Sequence, residues 1–315
     1  MNKPFYILFF VFCNAFSFAQ INLVPNPSFE DTLYCPNGLA DFTAVENWTN
    51  PTLATPDYFN ECDIINSVGV PNNYYGYQTA HSGKAYVGIG SAFGSIDSNY
   101  REYIQIKLLD SLIANKTYHL AFFINKSDSA NLCISNFGIA LSSNLIGGPF
   151  STVINFTPQI TSPNGLFLTD NLNWIKIEAN YQALGGEYYM TVGYFGDDAN
   201  ADTISCSNIS NTNLSRYSYY YLDDFSLIEI NEDEIFPNIF SPNNDGINDV
   251  WYSIYREYDL VEIYNRWGIK IAELLKNDQK WDGTTSYGIK CEDGIYYFIA
   301  KTEKTATKGF IHLIR

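Results

Sequence analysis

The segment Asn72–Gln78 carries the aromatic and amide side chains best suited to hold a sugar. Flat aromatic rings stack on the faces of pyranose rings, and a few polar groups fix the orientation of the ligand. The segment is rich in turn-forming residues, which predicts a loop. In a chain with 25 tyrosines, packing within the core or the loops is the alternative role for such rings. The predicted ligand-binding residues, all from this stretch or the residues before it, are Trp48, Tyr58, Tyr74, Tyr75 and Tyr77.

A second set of polar side chains, Asn243, Asp245 and Asp249, lies near the start of the last eighty residues. Carboxylate and amide oxygens are the ligands that calcium prefers. Asn and Asp at alternate positions, followed by Gly246, are similar to a calcium-binding loop, although the Glu at the twelfth position of an EF-hand is missing. The alternative is a tight turn in which these side chains cap backbone amides.

Signatures of catalysis are sparse in this sequence. The chain has three histidines, none of them in a zinc-protease motif, and it has no nucleophile elbow and no phosphate-binding loop. Paired carboxylates can cleave glycosidic bonds, but no spacing here favours such a pair. We therefore predict a non-catalytic protein and keep a glycoside hydrolase as the outside alternative. The acidic pairs that could be proposed for it are Asp57 with Glu61 and Asp197 with Asp198.

Five cysteines follow residue 19, and none of them is part of a Cys-x-x-Cys pair. A zinc site or a thioredoxin-like motif is therefore unsupported. In an exported protein, disulfides are the expected use of such cysteines. We predict the pairs Cys35–Cys62 and Cys133–Cys206 with Cys291 free, although four cysteines allow three pairings.

Charge is distributed unevenly along the chain. Residues 20–233 hold 7 Lys and Arg against 22 Asp and Glu, a net charge of −15, whereas residues 234–315 hold 10 against 12. A domain with this charge repels phosphate backbones and anionic membrane surfaces, which excludes nucleic acid as an expected partner. The acidity suits a protein that meets divalent cations, or it serves solubility alone.

The hydrophobic pattern predicts an all-β protein in two parts. Short stretches of alternating or β-branched and aromatic residues are separated by Gly, Pro, Asn and Ser clusters, which is typical of a β-sandwich. The only plausible helix is a turn or two at Leu108–Ala114. An acidic run at Asn231–Glu234 marks a boundary between domains at 20–233 and 234–315. Strands of the second domain are predicted at Val250–Ile254, Leu260–Asn265, Gly268–Ala272, Gly294–Lys301 and Lys308–Ile314, which fits a small Ig-like or Greek-key sandwich.

The first nineteen residues have the pattern of a signal peptide. Lys3 gives a positive start, an apolar run follows, and Ser17-Phe18-Ala19 places small residues at the cleavage site. The apolar run is shorter than the ~20 residues that a membrane-spanning helix needs. No other stretch is apolar enough, so we expect no transmembrane segment once residues 1–19 are removed.

The last eighty residues resemble the gliding-motility-associated C-terminal domain, a type B sorting domain of the type IX secretion system of Bacteroidetes. The matching blocks occur in the family's order and are Phe240–Asp249, Tyr264–Gly268, Trp281–Gly283, Gly294–Tyr297 and the Gly309 to Arg315 ending. The resemblance implies export through the periplasm, recognition by the type IX machinery, and a place on the outer cell surface or outside the cell. An ordinary Ig-like module without a sorting role is the alternative.

Residues 20–233 resemble the galactose-binding-like jelly rolls of carbohydrate-binding modules, and also uncharacterised Bacteroidetes surface modules. The resemblance is carried by Asn22–Glu30, Ala80–Tyr86 and Tyr221–Leu227, and the long segment Leu33–Tyr77 departs from it. It implies that the first and last strands are neighbours and that a structural calcium sits between them. Glu30 and Asp224 would be its carboxylate ligands, and the alternative is that these carboxylates accept hydrogen bonds from loop amides.

Together these features predict a secreted or cell-surface binding protein whose first domain binds a glycan. A structural or adhesive protein with a protein partner is the alternative.

Overall fold

The computed structural model describes residues 21–64, 67–93, 99–163, 165–206, 216–230, 236–253, 258–276, 279–303 and 305–315. The predicted signal segment, residues 1–19, lies outside this range. Within it the chain is built from β-strands, and the only helix is a single 3-10 turn at Phe42–Ala44. This confirms the all-β class. A search of the same residues finds no helix with the length and apolar character needed to span a membrane.

The strands of the first domain range from 2 to 15 residues, and most are separated by long loops. They are β1 (Trp48–Thr49), β2 (Asp57–Asn60), β3 (Asn72–Asn73), β4 (Gly76–Tyr77), β5 (Ala85–Phe93), β6 (Tyr103–Lys107), β7 (Thr117–Lys126), β8 (Leu132–Ile134), β9 (Gly138–Ser142), β10 (Ile160–Thr161), β11 (Ile175–Gln182), β12 (Tyr189–Gly193), β13 (Thr203–Ser205) and β14 (Arg216–Ile230).

Two antiparallel five-stranded sheets enclose the core of this domain. The first sheet has the order β11-β7-β14-β5-β2, and the second has the order β1-β6-β12-β9-β10. Alternate side chains of both sheets point inward and meet in one apolar cluster, as the twofold repeat of a strand requires. Phe122 of the first sheet stacks on Phe225 with ring centroids 5.1 Å apart. The structure therefore confirms a β-sandwich.

A bulge in β14 brings the start of the chain against its closing strand. The pairing of β14 with β7 shifts register between Asp223 and Ser226, and Asp224 adopts a positive φ of 49°. The Asn22 side chain accepts a hydrogen bond from the backbone of Leu227 and donates one to the carbonyl of Phe225, each at 2.9 Å. The first and last segments of the domain are therefore neighbours, as the resemblance implied.

Irregular segments cover part of the outer face of each sheet. On the second sheet, the segment around Ile146 and Ile154 covers Gln105 and Tyr103, which are almost fully buried. Gln105 donates to the carbonyl of Ile146, and the Tyr103 hydroxyl accepts from the amide of Ile154. On the first sheet, Tyr75 stacks on Tyr219 with ring centroids 3.7 Å apart. These covered parts of the two outer faces are therefore not open to a ligand.

One predicted element of the first domain is wrong. Leu108–Ala114 contains no helix, because the backbone amides of Leu108 and Leu112 donate to the carbonyls of Tyr188 and Glu187. Pairing with the neighbouring segment replaces the bonds within a helical turn. Both disulfides, Cys35–Cys62 and Cys133–Cys206, are present, and Cys291 is free and buried, which confirms the predicted pairing.

The last eighty residues form a separate five-stranded sheet with its own core. Its order is β15-β19-β18-β16-β17, where β15 (Ile239–Phe240) runs parallel to its neighbour and the other pairs are antiparallel. The segment predicted as a strand at Val250–Ile254 forms only a bridge, from Trp251 to Trp281, and Ile254 lies outside the described residues. The remaining strands agree with the prediction to within a few residues, and they are β16 (Leu260–Tyr264), β17 (Lys270–Leu275), β18 (Gly294–Lys301) and β19 (Ala306–Leu313).

Candidate ligand-binding cleft

A cleft of about 640 Å³ lies beside β1, at the edge of the second sheet. It is built entirely by the first half of the long segment that departs from the jelly-roll resemblance. Its lining residues are Leu33, Ala40, Phe42, Thr43, Val45, Asn47, Trp48, Thr49, Asn50, Thr52, Leu53, Ala54, Thr55 and Pro56.

The buried side chain of Asn26 fixes the two ends of the loop that forms one wall of the cleft. Its amide nitrogen donates to the carbonyls of Asp31 and Glu46 at 2.8 and 2.9 Å, and its oxygen accepts from the amide of Asp31 at 2.9 Å. The Cys35–Cys62 disulfide ties the same loop to the end of β2. These constraints, together with the 3-10 turn at Phe42–Ala44, hold the wall in position.

Trp48 is the one predicted ligand-binding residue that lines this cleft. Its indole packs between the rings of Phe29 and Phe225, at centroid distances of 5.0 and 5.2 Å, and its Nε1 donates to the carbonyl of Asn26. Only 3% of the residue is exposed. The ring is therefore part of the core next to the cleft, and its flat face is not open for stacking on a sugar.

The polar groups of the cleft are amides and hydroxyls, and within the described part of the chain no charged residue lines it. Most of these groups already have partners, such as Thr49 Oγ1, which donates to the carbonyl of Gln105 at 3.1 Å. Asn47 is the exception. It is exposed, its φ of 70° lies in the left-handed region, and its side-chain amide has no hydrogen-bond partner among the described residues. It is a polar group that a ligand can reach.

Two buried carboxyl groups, Asp57 and Glu102, stand behind the cleft wall. Glu102 accepts hydrogen bonds from the Tyr100 hydroxyl at 2.8 Å and from Thr55 Oγ1 at 3.2 Å. Asp57 accepts from the backbone amide of Ala40 at 2.6 Å. Burial, aided by the neighbouring Asp57, raises the pKa of Glu102 to about 8, and burial raises the pKa of Asp57 to about 6. Glu102 is therefore mostly uncharged at neutral pH.

Nothing in the sequence pointed to the pairing of Asp57 with Glu102. The two residues are far apart in the chain, and β5 brings them close because both contact it. Asp57 is the strand partner of Gly88, and Glu102 accepts a hydrogen bond from the amide of Gly90. Glu61, the candidate partner of Asp57 in the sequence, is on the surface, with its Oε2 atom 3.2 Å from Lys84 Nζ. Asp197 and Asp198 also have separate contacts, because Asp198 pairs with Arg101 at 2.7 Å and Asp197 caps the amide of Asn200.

The other predicted aromatic residues do not converge on the cleft. Tyr58 is fully buried in the core, where its hydroxyl donates to the carbonyl of Phe29. Tyr75 packs beneath its loop against Tyr219. Tyr74 and Tyr77 remain 70% and 57% exposed on the outer side of that loop. Of the predicted aromatic residues, only Tyr74 and Tyr77 therefore have rings that a ligand can reach.

Glu30 and Asp224 both hold the turn between Ala80 and Ala85. Glu30 Oε1 accepts from the amides of Lys84 and Ala85 at 2.8 and 3.0 Å. Asp224 binds His81 Nδ1 at 2.5 Å through one oxygen and accepts from Ser82 Oγ at 2.6 Å through the other. The Glu30 contacts match the hydrogen-bonding alternative to calcium, whereas Asp224 contacts side chains and not amides. No group of three His, Cys, Asp or Glu that could hold a metal occurs in the described ranges. Calcium at this position stays a prediction.

The side chains of Asn243, Asp245 and Asp249 cap their own loop. Asp249 accepts from the amides of Asn243, Asn244 and Gly246 at 2.6 to 3.0 Å, and Asp245 Oδ1 accepts from Ile247. The hydrogen bonds from the Ile247 backbone and the Asn243 side chain lower the pKa of Asp245. The geometry matches the turn-capping alternative, and metal binding here also stays a prediction.

Comparison with known proteins identifies the end of the chain. Residues 234–313 match the CHU_C type IX secretion signal domain. This match indicates export to the cell surface or the extracellular space, with sorting by the type IX secretion machinery. No curated protein matches the chain.

Solved structures similar to the first part of the chain are distant from it. The CBM22-1 xylan-binding domain of Paenibacillus barcinonensis Xyn10C is 13% identical and has a TM-score of 0.35, covering 67% of this chain and 96% of that domain. The K1 cleaved adhesin domain of Lys-gingipain from Porphyromonas gingivalis W83 is 14% identical with a TM-score of 0.30, covering 65% and 96%. At these TM-scores the likeness carries no argument about function.

Proposed function

We propose that this protein is a non-catalytic glycan-binding protein of the outer cell surface or the extracellular space, and that the cleft beside β1 holds the saccharide. In this proposal residues 20–233 form the binding domain, and residues 234–315 form the domain that the secretion machinery recognises. The cleft is the observation that carries the proposal. Its volume of about 640 Å³ falls within the range of roughly 300–1,000 Å³ that is typical of small-molecule sites.

The chemistry of the cleft suits a saccharide. Exposed apolar surface from Leu33 and Leu53 lies in the same cleft as the hydroxyl and amide groups described above. Sugar rings have apolar C–H faces and hydroxyl edges, so they match a lining that mixes both. Leu33 and Leu53 are more than half exposed, which leaves apolar surface that a bound ring would cover.

A protein partner is the second candidate, and Tyr74 and Tyr77 favour it. Both rings stand on a loop whose position is fixed, because the amide of Tyr74 donates to the carbonyl of Ser67 and the amide of Tyr77 donates to Asp128 Oδ2. Tyrosine is enriched at protein interfaces because it offers a large contact area with few rotatable bonds. This surface is separate from the cleft, so the two candidates can be tested independently.

The experiment is glycan-array binding by the full-length secreted protein, followed by calorimetry with the saccharides that bind. Leu53→Asp places a charge inside the cleft at an exposed position, and we expect it to weaken binding at least about tenfold. Leu172→Asp is the matched control, because Leu172 is 78% exposed and does not line the cleft. Failure of the protein to bind any saccharide on the array, or equal affinity of both variants, would refute the proposed site.

The protein-partner candidate predicts a different result. If Tyr74 and Tyr77 form the functional surface, Tyr74→Ser with Tyr77→Ser will abolish adhesion of cells that display the protein, whereas Leu53→Asp will leave adhesion intact.

A further inference from the structure

The cleft is uncharged in a domain whose net charge is −15. Recognition of a carboxylate or sulfate group on a saccharide normally uses Arg or Lys, which supply charge-assisted hydrogen bonds. None of the lining residues within the described ranges is Arg or Lys. An acidic saccharide in this cleft would therefore lose hydration of its charge without gaining a cationic partner.

A carboxylate next to the lining, that of Asp41, further disfavours acidic saccharides. Asp41 accepts a hydrogen bond from Thr43 Oγ1 at 3.2 Å, and Thr43 lines the cleft. Partial burial of Asp41 opposes ionisation, but hydrogen bonds from Asn37, Tyr34 and Thr43 outweigh it and lower its pKa. This carboxylate is therefore negative at neutral pH and lies one hydrogen bond from the ligand space. With the charge of the whole domain, it gives the cleft a negative potential that repels anions.

Asn47 provides a neutral polar group to orient the ligand. Its neighbours on both sides are fixed, because the carbonyl of Glu46 accepts from Asn26 and the indole of Trp48 is buried in the core. This holds Asn47 in the left-handed region, which asparagine tolerates better than most non-glycine residues. An amide both donates and accepts hydrogen bonds, so it can bind two neighbouring hydroxyl groups of a sugar.

We infer that the cleft selects neutral oligosaccharides over acidic ones and that the side-chain amide of Asn47 orients the bound sugar. This inference rests on the proposed glycan-binding function and adds the class of ligand and the residue that orients it. A saccharide carrying uronate or sulfate groups is excluded by charge, and a neutral chain of hexose or pentose units is accepted.

The selectivity is tested with the full-length secreted protein and pairs of oligosaccharides that differ only in charge. Each neutral oligosaccharide that binds is compared with its counterpart oxidised to the C6 carboxylate, by calorimetry at neutral pH. We expect the acidic member to bind at least about tenfold more weakly. The difference should shrink as the salt concentration rises from about 0.01 M to about 0.5 M, because salt screens the repulsion. Equal affinities for the two members would overturn the selectivity while leaving glycan binding in place.

The role of Asn47 is tested with a substitution that spares the backbone. Glycine adopts positive φ without strain, so Asn47→Gly removes the amide without forcing the loop to change. We expect the affinity for neutral oligosaccharides to fall about tenfold while the melting temperature does not fall. Asn115→Gly is the matched control, since Asn115 is also exposed with a φ of 65° and does not line the cleft.

The outcomes separate this inference from the proposal beneath it. Undiminished affinity in Asn47→Gly would overturn the role of Asn47. Failure of all neutral oligosaccharides, with binding of acidic ones, would overturn the selectivity but keep the function. Failure of every saccharide would overturn the proposed function itself.

Discussion

The hydroxyl of Tyr219 donates a hydrogen bond to Asp57 Oδ2 at 2.5 Å, joining β14 to β2 across the outer face of the first sheet. Both residues are buried, and the ring of Tyr75 covers Tyr219. The carboxyl group of Asp57 thus sits between the cleft wall, through Ala40, and the tyrosine cluster of the sheet. The same region contains Glu102, so ionisation in this region bears directly on stability.

We predict that the protein loses stability as the pH rises from 5 to 9. The pKa of Asp57 is raised to about 6 and that of Glu102 to about 8, chiefly by burial. A carboxyl group whose pKa is raised on folding stabilises most below its unfolded-state pKa, and that contribution is lost as the pH rises through its folded-state pKa. The loss from these two groups should be at most about 5 kcal/mol. Asp223, whose pKa is raised to about 8 chiefly by burial, adds to the loss in the same direction. Urea unfolding at a series of pH values measures the total.

The variants Asp57→Asn and Glu102→Gln serve as the control for this prediction, because they remove the titrating groups and keep their shapes. Their unfolding free energy should depend less on pH over the same range than that of the wild type. A wild-type protein that is equally stable at pH 5 and pH 9 would contradict the prediction.

We predict that the two disulfides contribute to different properties. Cys35 and Cys62 are 27 residues apart and enclose the whole cleft-lining segment after Leu33, whereas Cys133 and Cys206 are 73 residues apart and lie elsewhere. Longer closed loops restrict the unfolded chain more, so loss of the second bond should cost about 4 kcal/mol and loss of the first about 3 kcal/mol. Thermal unfolding of paired Cys→Ser variants measures this order.

Glycan affinity should follow the opposite order for these variants. Loss of Cys35–Cys62 frees one wall of the cleft, so binding should weaken, whereas loss of Cys133–Cys206 should leave the affinity of the remaining folded protein unchanged. Equal effects on affinity would show that the first disulfide does not shape the cleft.

We predict that calcium stabilises the first domain through Glu30 and Asp224. Glu30 uses Oε1 for its two amide contacts, and Asp224 lies on the bulge of β14 next to the same turn. EDTA should lower the melting temperature, and added calcium should restore it, because a ligand bound only to the folded state shifts the unfolding equilibrium. Glu30→Gln should abolish the response. A melting temperature unaffected by EDTA would leave hydrogen bonding as the role of both carboxylates.

We predict that removal of residues 234–315 stops delivery to the cell surface. The match of residues 234–313 to a type IX secretion signal places the sorting information in this part of the chain. The truncated protein should accumulate in the periplasm, as measured by fractionation and surface labelling of cells. Surface display at the wild-type level would show that the last eighty residues serve another purpose.

The sequence by itself determined the architecture and the destination of this protein. Alternating apolar residues in stretches such as Thr117–Lys126 specify strands because successive side chains point to opposite faces, whatever the partner strand is. The blocks of the last eighty residues identified the secretion signal because each block is a continuous run of residues that can be recognised without knowing the fold. The disulfide pairs were also predicted correctly.

Only the tertiary structure decided where the chain forms a cleft and which side chains are buried. Trp48 is a predicted binding residue, but its indole packs against Phe29 and Phe225 in the core. Asp57 was considered beside its sequence neighbour Glu61, whereas strand pairing places it near Glu102. Concavity, burial and ionisation depend on which distant segments meet, and a sequence pattern reports only the periodicity of each segment taken separately.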